Sequence, residues 1–234
     1  MSLNAANYLK NRANKLALTQ KRIKQILTCT INSYERIVSD GVIFDYSKRG
    51  KVKHEDYLRN RLVDDYLENE LSSVAIGTEY FTVNKEVSEE YTSLVDSELH
   101  NDPIDIHIVD KALKRSWGKE TKPYFAIECK RIGSVSAYIN DTKKFTERSY
   151  TGLRLPIEGQ LGFIEKKGWD HKIVSDKINT NLSSNTFLKT TKNLTPFVLN
   201  PGFDGTYVSE HEKKDTSLFS VLHLFLDYTK ILLN

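Results

Sequence analysis

The sequence predicts an α/β or α+β fold in which a central mixed sheet is flanked by helices. Segments with apolar residues at three-to-four spacing, typical of helices, alternate along the chain with short apolar or alternating segments, typical of strands. Their order is helix, strands, helix, strand, helix, which favours one sheet covered by helices. The chain has 234 residues, of which 39% are hydrophobic, and can therefore bury a substantial core.

The first half of the chain predicts two helical regions followed by strands. An amphipathic pattern over residues 3–38 predicts one or two helices, and a second pattern over 54–71 predicts another. The later strands are the clearest. Residues 104–109 alternate Ile with polar residues, and residues 124–132 are nearly continuously apolar until Glu128 and Lys130 interrupt the run. The second of these patterns is typical of a strand buried on both faces.

The second half predicts shorter elements. We divide the chain into an N-terminal helical extension, residues 1–40, and a single domain, residues 41–234. The C-terminal stretch 218–233 fits either a strand followed by a helix or a helix alone. The remaining predictions are strands at 81–87 and 91–95, a helix within 135–150, an apolar segment at 159–165, a helix followed by a loop within 170–188, and an edge strand at 206–211.

Composition excludes several classes of protein. Aromatic residues make up 10% of the chain, which argues against disorder as the main state. No apolar run approaches the ~20 residues of a spanning helix, so we expect no membrane partner. Two cysteines and no signal-peptide pattern favour a reducing, cytoplasmic location. The motifs of zinc hydrolases, serine hydrolases and P-loop NTPases are all missing from the sequence.

Charge is distributed unevenly along the chain. Residues 1–34 carry six basic and no acidic side chains, residues 35–110 carry 8 basic and 18 acidic ones, and residues 111–234 carry 20 basic and 13 acidic ones. An acidic middle between basic segments fits a protein that holds a cation in an acidic site and a polyanion around it. It also fits a protein that simply has patchy surface charge, and charge alone favours this second interpretation.

Three charged residues on the two clearest strands form the candidate catalytic site. Glu128 and Lys130 are two residues apart on an apolar strand and therefore share a face, while Asp105 lies on the preceding strand. Burying unpaired charges is costly, so charged residues on this apolar strand suggest a functional role. If the strands pair antiparallel, the two carboxylates can share Mg²⁺ or Mn²⁺, and the ammonium can act on water and phosphate. The alternative is a surface hairpin on which Glu128 and Lys130 form an ion pair.

These residues resemble the motif of the PD-(D/E)XK nucleases, the restriction-endonuclease-like superfamily. The chain reads Asp102-Pro103-Ile104-Asp105 and then Ile127-Glu128-Cys129-Lys130, with the proline two positions before the aspartate rather than directly before it. The resemblance implies an αβββαβ core, phosphodiester hydrolysis and dependence on a divalent metal. It also implies that Asp105 and Glu128 are the metal ligands and that Lys130 is the catalytic lysine.

The same resemblance suggests further site residues. An N-terminal helix often adds an acid to such sites, and Glu55 is the candidate, with Glu68 as its alternative. Gln160 corresponds to a glutamine that some members carry after the core helix. A basic segment with Lys143, Lys144 and Arg148, together with the basic N-terminal helix, is expected to neutralise backbone phosphates.

We therefore expect a Mg²⁺-dependent (or Mn²⁺-dependent) endonuclease that acts on DNA. The resemblance suggests a bacterial or phage setting in defence, restriction or repair, and it is compatible with a homodimer. The alternative is a catalytically silent nucleic-acid-binding or complex-assembly module on the same fold. His211 is expected to be a solvated strand residue, His107 either supports Asp105 or packs, and Cys129 is expected to be a core residue.

Overall fold

A computed structural model describes residues 5–75, 80–113, 122–150, 152–185 and 187–233. A large mixed sheet with helices against it confirms the general α/β class. The helices are α1 (Ala5–Ser39), α2 (His54–Leu62), α3 (Glu68–Ser73), α4 (Val135–Thr146) and α5 (His171–Ser184), with a π-helical turn (Val63–Leu67) joining α2 to α3 and a 3-10 turn at Tyr46–Lys48. The strands are β1 (Phe44–Asp45), β2 (Phe81–Ser93), β3 (Leu99–Asp110), β4 (Tyr124–Ile132), β5 (Arg148–Tyr150), β6 (Glu158–Ile164), β7 (Thr190–Pro196), β8 (Thr206–Glu212), β9 (Leu218–Asp227) and β10 (Leu232–Leu233).

Eight of these strands form one sheet in the order β5-β2-β3-β4-β6-β9-β8-β7. Strands β2, β3 and β4 form an antiparallel meander, whereas β4, β6 and β9 are parallel neighbours. Helix α4 lies in the connection from β4 to β6, as a parallel crossover requires. Strands β8 and β7 continue the sheet antiparallel beyond β9, and β1 pairs separately with β10.

The sheet has apolar cores on both faces, because side chains alternate along each strand. Helices α1, α2 and α3 cover one face, in a main core that includes Ile127 of β4 and Leu161 of β6. Helices α4 and α5 cover the other face, in a second core that includes Phe225 of β9. Residues Ile23 to Ile37 of α1 contribute six buried apolar side chains to the main core, so this helix is packed into the domain.

Several elements differ from their predicted form. The predicted strands at 81–87 and 91–95 are one continuous strand, β2, because a single irregularity at Glu86 does not end its pairing with β3. The predicted edge strand at 206–211 is internal, because the unpredicted β7 covers its outer side. The C-terminal stretch forms β9 and β10 without a helix among its described residues. No helix within the described ranges combines the length and apolar character needed to cross a membrane.

Candidate active site

The three residues of the predicted catalytic motif lie on neighbouring strands. Asp105 lies on β3 and Glu128 and Lys130 lie on β4, which pairs antiparallel with β3 and places Ile106 opposite Ile127. Ile106 and Ile127 point into the main core, so the residues that alternate with them face the other side of the sheet. The predicted adjacency of the two strands is therefore confirmed.

The carboxylate of Asp105 is held by two hydrogen bonds. The Arg59 guanidinium donates from Nη1 to Oδ1 at 2.7 Å, and the backbone N–H of Cys129 donates to Oδ2 at 2.7 Å. The Arg59 side chain is only 2% exposed and also pairs with Glu86 at 2.8 Å and Asp56 at 3.3 Å. Each carboxylate oxygen has two lone pairs, so both oxygens of Asp105 keep one for a further ligand. The bonds fix the orientation of Asp105 without using up its donor capacity.

Glu128 is a half-buried carboxyl next to another negative charge. Burial raises its pKa from 4.5 to about 8, and the charge of Asp105 adds to the increase. Without a cation, Glu128 therefore holds a proton at neutral pH, because the ionised form is both desolvated and repelled. A divalent cation between the two carboxylates would remove that penalty.

Lys130 is a charged amine between two carboxylates from different helices. Its Nζ lies 3.1 Å from Glu55 Oε1 of α2 and 3.0 Å from Asp141 Oδ2 of α4. Burial alone would lower the pKa of Lys130, but the charges of Asp141 and Glu55 outweigh it and hold the pKa above its usual value. Glu55 also accepts the backbone N–H of Arg131 at 2.8 Å. Of the two predicted helix acids, Glu55 therefore lies at the site, whereas Glu68 is exposed on α3.

These side chains line one cavity of about 270 Å³, called here the acidic pocket. Its lining combines seven carboxylates with four cationic side chains, and it brings together residues of α2, β2, β3, β4, α4 and β5. The carboxylates are Glu55, Asp56, Glu86, Asp102, Asp105, Glu128 and Asp141, and the cationic residues are Lys53, Lys130, Lys144 and Arg148. An excess of hard oxygen donors over cations is the composition that a Mg²⁺ or Mn²⁺ site requires.

Two of the three predicted phosphate-contacting residues also reach the acidic pocket. Lys144 Nζ lies 2.8 Å from Asp141 Oδ1, and its side chain is 54% exposed. Arg148 pairs with Asp102 and lies with its guanidinium 4.4 Å from the ring centroid of Tyr91. Both cations line the pocket and are positioned by neighbouring acidic groups.

Other predicted basic contacts lie elsewhere. Lys143 does not line the acidic pocket: its Nζ is 3.6 Å from Glu147 and 5.4 Å from the ring centroid of Phe187. In helix α1, the Arg22 guanidinium is buried and donates to both oxygens of Asp110, at 2.7 and 2.9 Å. Arg22 therefore stabilises the fold and is not free to contact a phosphate.

Gln160 lies beside Glu128 in the β4–β6 ladder but below the acidic pocket. Its side chain is buried, donates from Nε2 to the Tyr138 carbonyl at 2.8 Å and accepts from Thr142 Oγ1 at 2.7 Å. Both partners belong to α4, the helix that carries Asp141. In this structure Gln160 holds that helix against the sheet.

The histidine on β8 differs from its expected environment. His211 is buried rather than solvated, because β7 covers β8. Its ring is hydrogen bonded to Ser209 Oγ at 2.7 Å and Thr190 Oγ1 at 3.1 Å, and Ser209 Oγ is also 2.7 Å from His223 Nε2. Burial lowers the pKa of His211 to about 4, so it is neutral at physiological pH.

Two further residues have packing roles. His107 shares the face of Asp105, and its ring centroid lies 4.5 Å from that of Tyr124. Cys129 is buried in the main core, and burial raises the pKa of its thiol well above 9.0. Cys129 is therefore a core residue, as predicted, while its backbone N–H serves Asp105.

A separate group of potential metal ligands lies at the turn between β2 and β3 and the start of β3. Asp96, Glu98 and His100 place one ligand atom each within 4.8 Å of one another. Asp96 and Glu98 are exposed, and Asp96 already accepts from the His100 ring at 3.2 Å. Exposed groups of this kind are common without a metal, so this turn is a weak alternative to the acidic pocket.

Sequence reasoning missed two residues that organise the site, Arg59 and Asp141. Arg59 lies on α2 between apolar positions that are buried, and a charge at such a position is the one available signal of a buried partner. Asp141 likewise lies among the buried positions of α4. Neither pattern specifies Asp105 or Lys130 as the partner, because these residues come from distant parts of the chain.

Comparison with known proteins provides no family assignment. No protein-family model matches the chain, and neither the curated proteins nor the solved structures gave a match. Inferences about function therefore depend on the geometry of the acidic pocket and on the sequence motif.

Proposed function

We propose that this protein is a metal-dependent nuclease of the PD-(D/E)XK type that hydrolyses phosphodiester bonds in DNA. The observation that carries the proposal is the convergence of Asp105, Glu128 and Lys130 on one pocket from two paired strands. The order α2–α3, β2, β3, β4, α4, β6 supports it, because it follows the αβββαβ order of restriction-endonuclease-like nucleases apart from the short β5.

The donor set fits a hard divalent cation. Asp105 and Glu128 are the residues that would hold Mg²⁺ or Mn²⁺, since Asp105 keeps free lone pairs and the ionised form of Glu128 is repelled by Asp105. Such an ion supplies Lewis-acid polarisation of a phosphate oxygen and lowers the pKa of a bound water. The raised pKa of Glu128 means that protons and metal compete for its carboxylate.

The Lys130 ammonium supplies the cationic group of the proposed reaction. The Lys130 ammonium has three N–H donors, of which Glu55 and Asp141 engage two, leaving the third for an attacking water or a phosphate oxygen. Those two carboxylates also keep Lys130 protonated and fix its position at the pocket. Charge developing on the phosphate is thereby stabilised by a donor that needs no rearrangement during the reaction.

Incubation with nucleic acid tests the proposal directly. We expect cleavage of supercoiled, linear, single-stranded or branched DNA in Mg²⁺ or Mn²⁺ and none in EDTA. Asp105→Asn is expected to lose at least about 100-fold in rate, because it removes the negative charge that attracts the cation while keeping a hydrogen-bonding side chain for Arg59. Plasmid nicking, with RNA in parallel, measures both effects.

Asp96→Asn is the matched control for this experiment. It removes the same charge from the metal-capable turn between β2 and β3 and is expected to leave cleavage unchanged. The opposite ranking of the two variants would show that the acidic pocket is not the active site. Metal and nucleic-acid binding by the parent protein with no cleavage would instead favour a silent binding or assembly module.

A further inference from the structure

A second cavity, called here the basic pocket, adjoins the acidic pocket. It has a volume of about 480 Å³ and shares Lys53, Glu55 and Lys130 with the acidic pocket. Its charge is opposite in character: Arg49, Lys51, His54 and Arg131 complete the ionisable lining. Among the described residues that line it, Glu55 is the one carboxylate. The two cavities therefore form a continuous surface with an acidic half and a basic half.

Some cations of the basic pocket are already neutralised by partners, whereas others are not. Arg131 pairs with Glu165 at 2.6 Å, and Lys130 pairs with Glu55 and Asp141. By contrast, Lys51 and Lys53 are exposed, and neither has a carboxylate within 4.0 Å in the part of the chain that the structure describes. Two ammonium groups without anionic partners, beside further cations, create a local excess of positive charge.

The loop that carries these lysines is braced. Arg49 donates from Nη1 to the carbonyl oxygens of Gly50 at 3.0 Å and Val52 at 2.8 Å, which closes the turn that precedes α2. Helix α2 begins at His54 directly after it, and its N-cap residue Lys53 makes no side-chain capping bond. A preformed loop presents its cations to a ligand at a low entropic cost.

We propose that the basic pocket binds a backbone phosphate of the nucleic-acid strand, next to the phosphate presented to Asp105 and Glu128. This inference rests on the proposed nuclease function. A strand that delivers a phosphate to seven carboxylates must be attracted and held by charges outside them, and phosphate contacts fix a strand's position without reading its sequence. The shared Lys53 and Lys130 mark the path from one pocket to the other.

The double variant Lys51→Ala/Lys53→Ala tests the basic pocket. We measure binding of a labelled DNA duplex, a DNA single strand and RNA by fluorescence anisotropy, in Ca²⁺ and at several salt concentrations. The variant is expected to bind at least about tenfold more weakly, and the slope of log affinity against log salt should become shallower by about one to two, since each lost phosphate contact contributes about 0.7–0.9 to the slope. Both lysines are exposed, so the fold should not depend on them.

Lys189→Ala/Lys192→Ala is the matched control. It removes the same two charges from Lys192 of β7 and from Lys189 just before that strand, at an edge of the sheet four strands from β4, where each lysine already has a glutamate partner. We expect its affinity to stay within twofold of the parent. An equal loss in the control would overturn the inference, because binding would then depend on overall charge alone.

Two remaining outcomes separate this inference from the proposed function. If the parent cleaves nucleic acid while Lys51→Ala/Lys53→Ala binds with unchanged affinity and salt slope, the basic pocket is not the phosphate site and the nuclease proposal stands. If the parent neither binds nor cleaves DNA or RNA, both proposals are overturned together.

Discussion

Lys130→Ala is expected to lower the rate of DNA cleavage by about 10²–10⁴-fold, the range observed when a positioned proton-transfer or charge-stabilising group is removed. The ammonium lies between Glu55 and Asp141 and has one N–H left for water or phosphate. Metal binding should remain and even strengthen, because two carboxylates lose a compensating charge while Asp105 and Glu128 are intact. Calorimetry with Mn²⁺, run beside plasmid nicking, measures both quantities.

Lys144→Ala is the control that isolates the position of the Lys130 amine. Lys144 also pairs with Asp141, at 2.8 Å, but it is more than half exposed at the rim of the acidic pocket. Its loss removes the same charge near Asp141 and is expected to cost less than about tenfold, since an exposed ion pair is worth little. Comparable losses in the two variants would contradict a specific role for Lys130. Circular dichroism of each variant checks that the fold is retained.

The strands that carry the motif could be predicted because their own residues show the apolar pattern of buried strands. Strand β4 spans Tyr124–Ile132, as its apolar run predicts, and the alternation at 104–109 lies within β3. By contrast, β7 has a single buried residue, Leu194, among exposed and half-buried ones, so no periodicity reveals it. Its absence from the prediction explains why β8 was expected at the edge of the sheet and His211 in solvent.

The site could be predicted only as far as local chemistry specifies it. Glu128 and Lys130 could be identified because they are charged residues on the apolar strand β4, where burying a charge is costly unless it has a function. The ion pairs that position the motif depend instead on long-range packing. Arg59 is 46 residues from Asp105 in sequence and Glu55 is 75 residues from Lys130, and no pattern within either helix encodes those distances. The basic pocket was missed for the same reason, because it forms only when the loop before α2 meets β4.

Glu128→Gln is expected to stabilise the metal-free protein at high pH. The carboxyl has a folded pKa of about 8 against 4.5 in the unfolded chain, so the folded state binds more protons between these values. The stability of the parent in EDTA should therefore fall as pH rises from about 4.5 to 8, with the full cost present above pH 8 and none below pH 4.5. A glutamine does not ionise and avoids this cost, which is at most about 5 kcal/mol at about 1.4 kcal/mol per pKa unit over the difference between 4.5 and about 8.

Mn²⁺ should make the parent more stable than Glu128→Gln, the reverse of the order expected in EDTA. Saturating Mn²⁺ stabilises the state that binds it, and the parent offers a negative oxygen ligand that Glu128→Gln lacks. Thermal unfolding at pH 5, 7 and 9, in EDTA and in Mn²⁺, measures the effect, with the exposed Glu68→Gln as a control that should show neither change. Loss of stability in Glu128→Gln at pH 9 in EDTA would mean that the carboxylate is a structural ion-pair partner. The expected outcome has two parts: Glu128→Gln is more stable than the parent in EDTA, and Mn²⁺ stabilises it less than it stabilises the parent. Together these results would show that the Glu128 carboxylate costs stability beside Asp105 but is needed to bind the cation.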